Sequence, residues 1–228
     1  MAKHGEREDA LLDAVADYLV AHGIAECTFR SLAQALDTST YTFVYHFGSK
    51  AQLIDAALRH VSSREVDEVR SWMAAGESDA GGVGADRAQV GGTGGVGAIM
   101  RRYWSWCLRP PHMQVMRLFF EVGSLAQRQP ELYPPVVRDI LLEGLELERE
   151  IVRATGADPA TVDAMATLVS GAIWGLQHDL LMTGEADRTT RALDALATMI
   201  DHHLAIGDPF AEAVSSDHTD PSPRKEHV

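Results

Sequence analysis

Thr40, Tyr41, Thr42, Tyr45 and His46 stand within one run of seven residues, TYTFVYH, and each carries a polar tip. Hydroxyls donate and accept hydrogen bonds, a threonine methyl suits a thymine methyl, and an imidazole suits a phosphate. This is contact chemistry for base edges and a phosphate backbone. Between and after these residues, Phe43, Val44 and Phe47 are expected to turn inward and hold the element on its neighbours.

Such tips need a short rigid support, and the flanking residues supply one. Thr28 is suited to cap a helix FRSLAQAL, with Phe29, Leu32, Ala33 and Leu36 on one face. Asp37-Thr38-Ser39 reads as a turn, and Ser39 as the N-cap of a third, very short helix starting at Thr40. About seven residues at 1.5 Å each give roughly 10 Å, enough to set a first turn in a major groove about 12 Å wide. Gly48 closes that helix. Ser49 reads as the cap of a long fourth helix with Leu53, Ile54, Ala57, Leu58 and Val61 on its apolar face. Upstream, Leu11, Val15 and Leu19 recur every four residues in Glu8–Ala21, beside Leu12 and Ala16, and Gly23 is a natural stop. Two helices joined by such a turn form a helix-turn-helix, a geometry also met in proteins that never touch DNA.

Residues 8–60 resemble the N-terminal domain of the tetracycline-repressor-like (TetR) family of bacterial transcriptional regulators. The resemblance is carried by Thr28-Phe29-Arg30-Ser31-Leu32-Ala33, by Thr38-Ser39, and by Val44-Tyr45-His46-Phe47-Gly48-Ser49-Lys50 followed by Leu53 and Ile54. It implies a dimer whose first three helices bind DNA, and whose later helices bind a small molecule and dimerise. Ligand binding would respace the two reading heads and release DNA. Residue by residue, it implies DNA contacts from Thr28, Arg30, Ser39, Thr40, Tyr41, Thr42 and Tyr45, with His46 and Lys50 holding phosphate. Three positions depart from the family pattern. Asp37 stands where Gly is common, Tyr41 where a small residue is common, and Val44 where Tyr is common. The operator sequence therefore does not carry over.

The net charge of −13 argues against general nucleic-acid binding. Thr28 to Lys50 nevertheless holds Arg30 and Lys50 against Asp37, a local balance of +1, so the acidic excess lies elsewhere. Only Cys27 and Cys107 occur, which fits free thiols in a reducing cytoplasm better than a disulfide scaffold or a zinc site. No run of about 18 apolar residues is present, and the polar start MAKHGEREDA has no signal-peptide character. A cytoplasmic location and no membrane contact are expected.

The rest of the chain reads as helices, with no alternating strand pattern, so the fold class is all-α. The expected organisation is a helix-turn-helix domain over 1–48, a connecting helix over 49–75 and a Gly-rich flexible loop over 76–97. A ligand-binding and dimerisation domain over 98–206 and a disordered tail over 207–228 follow. The glycines of the loop disfavour helix, and no GxxxxGK[ST] pattern makes it a phosphate cradle. The second domain is read as helices over Ala98–Leu108, which Pro110-Pro111 ends, and His112–Gln127. Another starts at Pro134-Pro135, a further one is opened by Asp158-Pro159 and ended by Gly184, and the last covers Thr189–Ile206, with Asp187 as a cap.

Trp104, Met113, Met116, Phe119, Phe120 and Trp174 suit either an ordinary core or a mostly apolar pocket, with Gln177 and His178 as polar anchors. Ala164, Thr167, Gly171 and Gly175 form a small-residue stripe that lets another helix approach closely. With Leu193, Leu196 and Ile200 of the last helix, it suits either packing within one chain or a four-helix dimer interface, and the resemblance favours the dimer. No HExxH helix or GxSxG elbow is found, and Glu143, Glu146, Glu148 and Glu150 are expected on a solvated face. Neither an enzyme nor a cofactor or metal is expected. The sequence thus points to a DNA-binding regulator, most simply a repressor released from operator DNA by a small, largely apolar effector. The alternative is a helical small-molecule-binding or interaction protein that does not read DNA.

Overall fold

The computed structural model describes residues 2–74, 95–129 and 134–206. The loop expected over 76–97, up to residue 94, and the tail over 207–228 lie outside the described residues. Those described form nine helices and no strand: α1 Ala2–His22, α2 Phe29–Ala35, α3 Thr40–Phe47, α4 Lys50–Ala74, α5 Val96–Cys107, α6 Pro110–Arg128, α7 Pro134–Arg153, α8 Pro159–Thr183 and α9 Ala186–Ile206.

Local chemistry sets most boundaries. Gly23 and Gly184 end α1 and α8 in left-handed conformations that cost a glycine little. Asp158 caps α8, its carboxylate accepting from the Ala160 and Thr161 amides at 3.0 and 3.2 Å. Pro159 follows it in the first turn. Ser49 caps α4 reciprocally. Its hydroxyl accepts from the Gln52 amide at 3.2 Å, and its own amide donates to Gln52 Oε1 at 3.0 Å.

Helix α1 starts at Ala2 rather than Glu8, and three further boundaries differ from expectation for a visible reason. Helix α5 begins at Val96, not Ala98, because Asp201 of α9 reaches its open end and accepts from the Gly97 amide at 2.8 Å. A Cβ at Gly97 would lie 2.7 Å from the Ala197 carbonyl, so only glycine allows this approach. Pro110-Pro111 open α6 rather than merely ending α5. The Arg109 carbonyl already accepts from the His112 and Met113 amides, and a proline needs no donor in a first turn. Asp187 lies inside the first turn of α9 instead of capping it, since the Glu185 carbonyl takes the Thr189 amide at 3.1 Å.

Two cores result. One joins α1–α4 through Val15, Leu19, Ile24, Cys27, Leu32, Phe43, Leu53, Ile54, Ala57 and Leu58, and it extends into Leu118 and Val122 of α6 and Val136 and Ile140 of α7. The other lies among α4–α9 and includes Trp104, Met116, Val152, Val169, Ile173, Leu193 and Ile200. Cys27 and Cys107 are separate free thiols, one in each core. Among the described residues no helix is long and apolar enough to cross a membrane, and no group of His, Cys, Asp or Glu is placed to hold a metal.

Candidate nucleic-acid interface and ligand cavity

The unit of α2, the turn 36–39 and α3 is built by caps. The Thr28 hydroxyl accepts from the Ser31 amide at 3.0 Å, and the Thr28 amide donates to Ser31 Oγ at 3.0 Å, a complete capping box. Asp37 adopts φ 46°, the left-handed geometry that ends α2, and the Thr38 amide donates back to the Ala33 carbonyl at 3.0 Å. Asp thus occupies the position that favours glycine. Ser39 caps α3 by accepting from the Thr42 amide at 3.3 Å. The Thr42 hydroxyl is shared between Thr38 Oγ1 and Ser39 Oγ, both at 3.0 Å, so it braces the turn.

Phe43 is fully buried and stacks on Phe29 of α2 at 6.0 Å. The opposite side of α3 is open: Tyr41 is 72% and Tyr45 61% exposed, and their rings stack at 6.3 Å. Thr28, Arg30, Ser39, Thr40 and Lys50 are exposed around them. Two expectations are corrected. Val44 is exposed, because it follows Phe43 onto the outer side of so short a helix. His46 is half-buried against Tyr45, with Nδ1 3.9 Å from Glu8 of α1, so it braces α3 on α1 rather than presenting its ring outward.

Beside the shared core, Glu121 of α6 makes a polar contact with the first unit. Its carboxylate accepts from the Ile24 and Ala25 amides at 3.1 and 3.2 Å, beyond the end of α1. A Cβ at Gly23 would lie 2.7 Å from that carboxylate, so glycine serves both the turn and the approach.

On another face of α6 lies a cavity of about 150 Å³ among α4–α8. Met116, Phe119, Trp174 and Gln177 line it, as the sequence suggests, with Met100, Tyr103, Leu147 and Ile173. Buried Gln177 donates from Nε2 toward Tyr103 Oη and Cys107 Sγ, both at 3.4 Å. Burial, the largest cause, raises the Cys107 thiol to about 12 and the Tyr103 phenol well above its usual range, so both stay neutral. The other four expected ligand residues lie elsewhere. Trp104 is buried toward α9, its Nε1 donating to Thr190 Oγ1 at 2.8 Å. Met113 packs at the edge of the core. Phe120 and His178 meet edge to face at 5.2 Å and line, with Met182, a second, more open pocket of about 650 Å³ that shares Phe119, Leu141 and Trp174 with the first.

The cavity also holds what the sequence reading missed: Ser62, Glu65, Glu148 and Ser170. Glu148 is not on a solvated face. Burial raises its carboxyl to about 7, which Ser170 partly offsets. Burial likewise raises Glu65 to about 8, against the nearby Arg64 and together with Glu68. A usable signal was present. Leu141, Gly144, Glu148 and Ile151 follow a helical three- or four-residue spacing, which puts the acid on the apolar side of α7.

The expected dimer residues divide. Ala164, Thr167, Gly171 and Gly175 are all exposed on α8. A Cβ at Gly171 or Gly175 would meet nothing within 4 Å, so packing within the chain does not require either glycine. Leu193 and Ile200 are buried in the chain's own core, and Leu196 packs against it. Period alone marks an apolar face without saying which helix covers it, and here it is α5. The open side of α9 carries Met199 instead, 68% exposed.

A capped helix-turn-helix seated on a helical bundle with an internal cavity defines the class of molecule: a helix-turn-helix protein with a pocketed second unit. Residues 11–57 match the family model described as bacterial regulatory proteins, tetR family, so the resemblance read from the sequence holds for this domain. No curated protein sequence matches. Among solved structures, a TetR-family transcriptional regulator from Pectobacterium atrosepticum is similar at 16% identity and a TM-score of 0.60, over 88% of this chain and 94% of that one. A putative TetR-family regulator from Rhodococcus sp. is similar at 20% identity and a TM-score of 0.61, over 86% and 97%. The multidrug binding protein EbrR, complexed with imidazole, is similar at 22% identity and a TM-score of 0.55, over 84% and 89%. These likenesses extend the TetR-family fold over the second unit.

Proposed function

We propose that the protein is a dimeric, cytoplasmic, DNA-binding transcriptional repressor released from its operator by a small, largely apolar effector. One observation carries this reading: Tyr41 and Tyr45 stand open on a short helix whose other side is buried through Phe43. Exposed stacked tyrosines are costly as plain surface and suited to a wet, polar partner with flat edges. Thr40 adds a hydroxyl for base edges, and Arg30 and Lys50 supply cations for phosphate. The N-terminal family match supports the same use.

The effector would occupy the cavity, whose apolar wall with few polar anchors is typical of small-molecule sites. EbrR, similar in fold, is a multidrug binding protein, which supports this use. Helix α6 is the link. Met116 and Phe119 face the cavity and Glu121 holds the turn after α1, so a ligand that shifts α6 shifts the reading head. The exposed stripe Ala164, Thr167, Gly171 and Gly175, with Leu168 and Met199, suits close approach by the same face of a second copy.

Binding to the DNA upstream of the protein's own coding region, measured across a salt series, tests the reading. A sequence-preferring complex with a steep salt slope is expected. No preference at low salt sinks it in favour of a helical ligand-binding or interaction protein that does not read DNA. The Tyr45→Ala variant is expected to lose at least about tenfold in operator affinity while the dimer persists in sedimentation. Dimer loss would make Tyr45 structural instead.

A further inference from the structure

The cavity wall is electrically one-sided. Its described lining includes two carboxyls, Glu65 of α4 and Glu148 of α7, and no lysine, arginine or histidine. A carboxylate drawn out of water is costly unless a cation or several donors meet it. Neither acid has that support. Glu148 Oε2 is sealed from solvent and has no hydrogen-bond partner among the described residues. Ser170 is the group that meets its carboxyl, and neighbouring Arg149 is committed to Asp163 and Glu146. Glu65 Oε1 lies 3.5 Å from His112 Nδ1, but burial and Arg109 hold His112 below its usual range, and its ring lies on Trp106 at 3.6 Å. Arg64 turns away to Asp17 of α1 at 3.1 Å, and Glu68 adds a charge of the same sign as a Glu65 carboxylate.

Burial thus leaves the Glu65 carboxyl mostly protonated near neutral pH and that of Glu148 about half protonated. The rest of the wall favours positive charge as well. Tyr103, Phe119 and Trp174 offer aromatic faces, and Met100 and Met116 offer polarisable sulfurs.

The geometry points to a compact organic cation as the effector: a protonated amine on an apolar body, its N–H donated to Glu148 Oε2, with Glu65 as second anion. This rests on reading the cavity as the effector site. The acid–base step balances simply. The amine enters with its proton, the Glu148 carboxyl, where protonated, gives its own proton to bulk water, and an ammonium–carboxylate pair remains in the cavity.

Calorimetric titration of the full-length, DNA-free protein with phenylpropylamine and with the isosteric phenylpropanol tests this. At about pH 7 the amine, charged as amines of ordinary pKa are, should bind at least about tenfold tighter than the alcohol. Its heat should also change between buffers of different ionisation enthalpy, which reports the released proton. In Glu148→Gln the preference should fall below about threefold, with a smaller loss in Glu65→Gln. Far-UV circular dichroism checks the fold of each variant, and the comparison on the unmodified protein decides even if one fails to fold. Equal or tighter binding of the alcohol, no amine binding at millimolar concentration, or an undiminished preference in both variants overturns the inference. Operator binding read on the same preparation separates the two claims. DNA binding without amine preference sinks only this one, and amine preference without DNA binding sinks only the regulator.

Discussion

The protein concentrates aromatic side chains in two places and treats them oppositely. On α3, Tyr41 and Tyr45 are exposed and stack on each other, while Phe43 is sealed beneath. In the cavity, Tyr103, Phe119 and Trp174 turn inward, and the polar groups among them are two acids and a few neutral donors. The difference teaches what each region is shaped to meet. A large hydrated partner needs exposed amphipathic rings on a rigid, fully capped support. A small partner needs a dry wall with charge held in reserve.

The strongest way to break the contrast is to exchange burial for exposure on α3. Phe43→Ala should cost about 3–5 kcal/mol in denaturant unfolding, because it empties the centre of the first core. Tyr41→Ala should stay within about 0.5 kcal/mol on the same measurement. Comparable losses from both would erase the distinction between support and reading surface.

The cavity side is tested by pH. In the unfolded chain both carboxyls ionise near 4.5, while in the fold Glu65 and Glu148 keep their protons to about 8 and about 7. The folded state therefore holds more protons between these limits, and stability from these groups falls as pH rises from about 4.5 to 8. Around Glu65 stand Arg64, Glu68 and His112, and beside Glu148 stands Ser170, so the comparison is made against the unmodified protein to cancel their own titration. The Glu65→Gln/Glu148→Gln double variant should gain on it by several kcal/mol as pH rises from about 5 to about 8. A flat difference between those values would remove the reserve of charge.

Glu121→Ala probes the join between the regions. Losing two hydrogen bonds to a carboxylate should lower stability by about 1–2 kcal/mol. It should also weaken effector-driven release of DNA more than it weakens effector binding in calorimetry. Equal effects on both would leave α6 without a transmitting role. The smallest change sharpens the reading head. Asp37→Gly should raise stability by about 0.5–1 kcal/mol, since the left-handed turn then carries no Cβ strain.

The all-α class, the caps at Thr28, Ser39 and Ser49, and the stops at Gly23 and Gly184 were legible because each depends on a few neighbouring residues. The burial of Phe43 followed from its place four residues from Phe47. What escaped was whatever a distant helix decides. Leu193 and Ile200 carry the right period, but α5 covers them. Trp104 looks like a pocket residue, yet Thr190 of α9 draws its ring the other way. His46 follows the aromatic run and is turned in by α1. Glu148, one of several glutamates in α7, looked solvated until α8 closed over it.

The core shared between α1–α4 and the α6–α7 pair has a further consequence for anyone recombining this protein. Leu118, Val122, Val136 and Ile140 form a seat on which the apolar residues of α1–α4 from Leu11 to Leu58 rest, so the junction is a fitted joint rather than a hinge on a string. A chimera that grafts this reading head onto another sensing unit inherits specificity only if those four seat positions travel with it. Without them the graft leaves an oily underside bare, and the hybrid clumps before it regulates anything.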